Sequence, residues 1–80
     1  IFPNPSKGRF TILYSSNENS NASVEIYNLV GERVLQKLVS ISIGKNELLF
    51  NEHLNSGSYI VRFILNNKLC ISEKLISLEK

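Results

Sequence analysis

Tyr59-Ile60-Val61-Arg62-Phe63-Ile64-Leu65-Asn66-Asn67-Lys68-Leu69-Cys70-Ile71-Ser72-Glu73-Lys74-Leu75-Ile76 is the stretch on which the fold turns. Tyr59, Val61, Phe63 and Leu65 recur every second residue, the period of an extended chain with one buried face; an amphipathic helix would repeat at three and four. Asn66-Asn67-Lys68 then interrupts the run. Asn adopts left-handed backbone angles more readily than most residues, so this short break predicts a tight antiparallel hairpin into a final strand over 69–76.

Outward from that hairpin the same period continues. Phe10, Ile12 and Tyr14 share one face of a first strand, and Val24 and Ile26 mark a second. Val34 and Leu38 fall in a third, with Leu35 and Val39 opposite, and Leu48 and Phe50 mark a shorter fourth. The connections agree. The stretch 15–21 is a polar loop. Asn28-Leu29-Val30-Gly31 carries Asn at the first and Gly at the fourth position, as a type I turn followed by a bulge prefers. Gly44-Lys45-Asn46 breaks the stretch between Val39 and Leu48. Leu54-Asn55-Ser56-Gly57-Ser58-Tyr59 sets the entry to the long strand. There Tyr59 points a large ring inward or at the rim with its hydroxyl toward a backbone partner, in the logic of a tyrosine corner. Ahead of everything stands Phe2-Pro3-Asn4-Pro5-Ser6-Lys7-Gly8-Arg9-Phe10, where each proline drives its predecessor out of the helical region and Gly8 supplies turn chemistry before the first strand. About six or seven antiparallel strands at spacings of roughly 8–12 residues predict an all-β chain, a small immunoglobulin-like β-sandwich.

Composition narrows function. Eighty residues make one domain, which buries only about 60–65% of its unfolded surface and leaves little room for a deep active site. Asn and Ser supply 21 residues, and all seven acidic residues are Glu. The net charge is +2, with nine basic residues spread singly along the chain, so no basic run predicts nucleic-acid binding. Wholly apolar runs such as Phe63-Ile64-Leu65 are far too short to span a bilayer, and no membrane insertion is expected. The chain begins at an apolar residue without an initiating Met, which suggests a piece cut from something longer.

Catalysis needs His, Cys, Asp or Glu brought together, and the chain has one His, one Cys and no Asp. His53 reads as a solvated imidazole in a loop. Cys70 reads as a small semi-buried hydrophobe, and its solitude excludes an internal disulfide. A lone His and a lone Cys make no ligand set, the Glu residues lack the spacing of a calcium loop, and no glycine-rich phosphate loop appears. No enzyme activity, metal or cofactor is expected. Asn21-Ala22-Ser23 fits the N-glycosylation triplet, a pattern that arises by chance in an Asn- and Ser-rich chain.

The Phe2-Pro3-Asn4-Pro5 opening with Gly8 and a strand from Phe10, then Ile26-Tyr27-Asn28-Leu29-Val30-Gly31-Glu32-Arg33-Val34, then Gly44-Lys45-Asn46, Leu54 to Arg62 and Lys74-Leu75-Ile76, together resemble in register the C-terminal sorting domain of type IX secretion cargo, the Por secretion tail. Ser58 departs from the apolar residue usual at its position. The resemblance implies an address: a domain at the C-terminus of a larger protein, carried through the periplasm to the cell surface or beyond. It implies recognition by the type IX translocon and an outer-membrane shuttle protein, and often removal by a sortase-like protease at a cut upstream of or near Ile1. It assigns translocon recognition to Gly57, Tyr59, Ile60, Lys74, Leu75 and Ile76, and a structural role to Pro3, Asn4, Pro5, Gly8, Phe10 and Gly31. An exposed sheet edge or loop is a compatible docking device, and Lys74 fits either charge-guided contact or protection of an edge. Two other readings stay open. One is an accessory β-sandwich module binding carbohydrate or protein, for which Tyr27 is the one candidate ring; the other is a passive spacer.

Overall fold

The computed structural model describes residues 9–52 and 54–78. Six strands run in order: β1 (Arg9–Ser16), β2 (Ser20–Asn28), β3 (Arg33–Ile41), β4 (Gly44–Asn51), β5 (Gly57–Leu65) and β6 (Lys68–Ser77). All described pairings are antiparallel. A two-stranded sheet, β1-β4, lies over a four-stranded sheet ordered β3-β2-β5-β6. The expected all-β sandwich is therefore present, with six strands among the described residues.

Alternation builds the core. Phe10 and Ile12 from β1, Ala22, Val24 and Ile26 from β2, Ile41 from β3, Phe50 from β4, Tyr59, Val61 and Phe63 from β5 and Leu75 from β6 are buried together. Phe10 stacks on Phe50 at 4.9 Å between ring centroids, and Tyr14 tilts onto Phe63 at 4.8 Å. The first contact lies within the upper sheet; the second ties it to the lower, with β1 over β5. On the other side β3 turns Leu35 and Val39 inward, where they pack against the core, and leaves Val34 and Leu38 exposed. Lys37 shares the inward side of β3, opposite Val24, and its ammonium pairs with Glu52 just beyond β4.

Two turns follow the sequence closely. The Asn28 carbonyl accepts from Gly31 N at 3.1 Å, Asn28 N donates to the Glu32 carbonyl at 2.9 Å, and Gly31 takes φ +88°. That is a type I turn with its bulge. Asn66 and Asn67 both have positive φ, +51° and +63°, the requirement of a two-residue type I′ hairpin.

Other expectations are corrected. The polar loop shrinks to 17–19, because Ser15 and Ser16 still pair with Lys45 and Gly44, and Ser20 and Asn21 with Ile41 and Ser40. Ladder bonds need only backbone, so polar side chains on an exposed face do not end a strand. Likewise Gly44-Lys45-Asn46 opens β4 and breaks nothing; the break is at Ser42-Ile43, and the fourth strand has eight residues. Gly44 enters β4 at φ +98°, and the Asn46 side chain accepts from Ser42 N while donating to the Tyr14, Ser42 and Gly44 carbonyls. Cys70 is exposed, not semi-buried. Phe63 pairs with Ile71 and Ile64 with Leu69, which makes Cys70 the extra residue of a β-bulge and moves Leu69 to the outer face. Pro3, Asn4, Pro5, Gly8 and His53 lie outside the described residues.

Candidate recognition surface

Gly57, Tyr59, Ile60, Lys74, Leu75 and Ile76 lie in two segments well apart in the chain, and the fold zips them into one patch. Gly57 pairs with Ser77, Ser58 with Ile76, Tyr59 with Leu75 and Ile60 with Lys74. The pleat then sorts them by face. Tyr59 and Leu75 point into the core and are buried, while Ile60 and Ile76 are half-exposed and Lys74 is exposed on the outer face of the sheet. Gly57, at the entry to β5, is exposed as well, so a partner of the folded domain can reach it and the outer-face group but not Tyr59 or Leu75. Of the residues expected to be structural, Phe10 is in the core stack. Gly31 occupies the β2–β3 turn at this same end of the molecule, since Asn28 pairs with Tyr59.

The patch is held from beneath by two hydroxyls. Tyr59 Oη donates to the Asn55 carbonyl at 2.8 Å, which fulfils the tyrosine-corner expectation, and Ser77 Oγ, almost wholly buried, donates to the neighbouring Leu54 carbonyl at 3.2 Å. Consecutive carbonyls of the β4–β5 connection are thus fixed by the first turn of β5 and the end of β6. A buried hydroxyl without a partner is costly, so each bond also settles a group the core would otherwise strand.

Beside the patch, on the same outer face, stands a polar cluster that periodicity does not reveal. Glu25 is an outward residue of β2 yet only 8% exposed. Tyr27 Oη donates to Glu25 Oε1 at 2.6 Å, Gln36 Nε2 donates to Oε2 at 3.3 Å, and Arg33 Nη1 lies 3.5 Å from Oε2. The Arg62 guanidinium lies over the Tyr27 ring, 5.7 Å from its centroid. Its hydrogen bond to Glu25, with burial second, holds the Tyr27 phenol above its ordinary value. The hydroxyl and one face of this ring are therefore occupied. The only sequence signal for the cluster is a glutamate at an outward position with Arg33, Gln36 and Arg62 in strands whose pairing the chain alone does not display.

No group of three His, Cys, Asp or Glu side chains able to hold a metal occurs among the described residues. An open groove of about 310 Å³ beside the Phe10–Phe50 stack is lined by Arg9, Thr11, Leu49 and Asn51, with no carboxylate, imidazole or thiol. No helix among the described residues is long and apolar enough to cross a membrane.

The described residues thus define a small two-layer all-β sandwich. The family model of the secretion system C-terminal sorting domain matches residues 1–78, and the chain belongs to that family, the C-terminal sorting signals of type IX secretion. No curated protein and no solved structure matches the chain. Membership implies export to the cell surface or the extracellular space, interaction with the type IX machinery, and a passenger preceding the domain.

Proposed function

We propose that the outer-face triad Ile60, Lys74 and Ile76 is the contact surface for the type IX machinery, and that Gly57, Tyr59 and Leu75 serve it from the inner face as supports. The observation that carries this reading is the register: Ile60 opposite Lys74 and Ser58 opposite Ile76 create one amphipathic patch, apolar with a cation, from separate segments. Two half-exposed isoleucines offer area for burial, and a nearby lysine steers an acidic partner toward them.

On this reading the 80 residues form a single domain at the C-terminus of a larger secreted protein. They fold in the periplasm and dock to the outer-membrane shuttle protein and translocon. A sortase-like protease then acts upstream of the domain, near Ile1, so the signal leaves with its own strands intact. The domain itself performs no catalysis; it is read.

The test is a periplasm-targeted fluorescent reporter carrying these residues at its C-terminus, in cells with and without an intact type IX system. Export dependent on the system, reduced about tenfold by Ile60→Glu or Lys74→Glu with thermal unfolding of the domain unchanged, supports the triad. Normal export of both variants assigns recognition to another face, and reporter retained in competent cells overturns sorting by this domain.

A further inference from the structure

We infer that β3 is a homodimerisation edge, pairing antiparallel with β3 of a second copy of this chain about a two-fold axis through Leu38. Among the described residues β3, like β6 at the other edge, is an outermost strand of its sheet, with β2 on one side only. A strand in that position presents a row of backbone donors and acceptors that another strand can satisfy. Its pairing with β2 is regular from Leu35 to Ile41, and the irregularity lies before it, between the Ile26–Leu35 and Tyr27–Arg33 pairs. The regular stretch is centred on Leu38. Leu38 is 82% exposed, the highest value among the exposed large hydrophobic residues described, and it lies on the outer face, opposite Ser23 of β2.

The side chains choose the register. A two-fold axis through Leu38 sets Leu38 against Leu38, Gln36 against Ser40, Lys37 against Val39 and Leu35 against Ile41. Every regular residue is used, the exposed leucine is covered by its own copy, and no like charges meet. Moving the axis to Lys37 sets Leu38 against Gln36 and Ser40 against Val34, beyond the regular stretch. An axis through Gln36 pushes the partner strand onto the bulged Val34, where the ladder is broken. An axis through Val39 sets Leu38 against Ser40 and Gln36 against Ser42, past the end of β3, so the axis through Leu38 alone keeps every pair inside the regular stretch and covers the leucine with its own copy. Two seven-residue strands bury less than the roughly 1,200 Å² of a standard interface, so the association is weak and concentration-dependent.

Cross-linking tests the axis directly. In a Cys70→Ser background, Leu38→Cys brings two thiols together on the two-fold, where directly opposed Cβ atoms approach to about 4.5–5.5 Å, near disulfide reach. Oxidation is expected to link Leu38→Cys at least tenfold faster than Lys37→Cys or the exposed β1 control Leu13→Cys. A rate for Leu38→Cys no greater than that of Leu13→Cys, or a faster Lys37→Cys, overturns the proposal. Sedimentation of the unmodified chain between about 10 μM and 1 mM should show the mass rising from 9.1 kDa toward twice that value, with Leu38→Glu remaining at 9.1 kDa. A chain monomeric throughout the range overturns it as well.

Discussion

Tyr59 shows how one side chain serves stability and display together. Its ring closes the core and its hydroxyl holds the Asn55 carbonyl. Tyr59→Phe keeps the ring and removes the bond, so we expect a loss of about 1 kcal/mol in urea unfolding. This role was legible, because a glycine two residues before a tyrosine at a strand entry is a local signal. The Glu25 cluster was not, because Arg33, Gln36 and Arg62 reach Glu25 and Tyr27 only through pairings with two neighbouring strands. The cluster has a consequence in alkaline solution. The Tyr27 phenol is raised above its ordinary value of about 10, so the folded state retains a proton that the unfolded chain releases first. Its contribution to stability is complete below pH 10 and is lost as pH climbs through the higher folded value. Tyr14 is also raised, by burial and then by its hydrogen bond with the Cys70 thiol. Tyr27→Phe should therefore flatten the fall in unfolding free energy above pH 10 without abolishing it, measured by denaturant titration across that range.

At the scale of elements, turns were read more accurately than strand ends. Gly31 and the Asn66-Asn67 pair carry their backbone angles in their residue types, and both hairpins formed as expected. Gly31→Ala should cost about 1–2 kcal/mol, and Asn67→Val a similar amount, whereas Asn67→Gly should be tolerated; thermal melts of the three variants check this. Strand ends at Ser16, Ser20 and Gly44 were misplaced because the backbone ladder extends where side-chain polarity suggests a loop. Cys70 was misjudged for a related reason. A bulge leaves no mark in a run of alternating residues, and here it makes Cys70 an exposed extra residue of the strand. Its exposure predicts that a thiol-reactive dye labels Cys70 in the folded chain without denaturant, more slowly than in urea because the thiol is held by Tyr14 and the Lys68 carbonyl.

At the scale of the molecule, two unequal layers share one small core, and Phe63 lies at their junction, fully buried and in contact with Tyr14. Phe63→Ala should cost about 3–5 kcal/mol, a large part of the roughly 4–12 kcal/mol available to a domain of this size, and is expected to leave the chain largely unfolded by circular dichroism at 37 °C. Fold class was legible from period alone; the unequal division into two and four strands was not, because it depends on β1 choosing β4 over its sequence neighbour β2. The pairing of Gly57–Ile60 with Lys74–Ser77 has a last implication. In an extended chain those segments are fragments with no common surface, and they become one patch only after β5 and β6 have closed. On the proposed reading, a receptor of this patch inspects the workmanship of the domain as well as its destination, and cargo with a misfolded tail would carry no legible label.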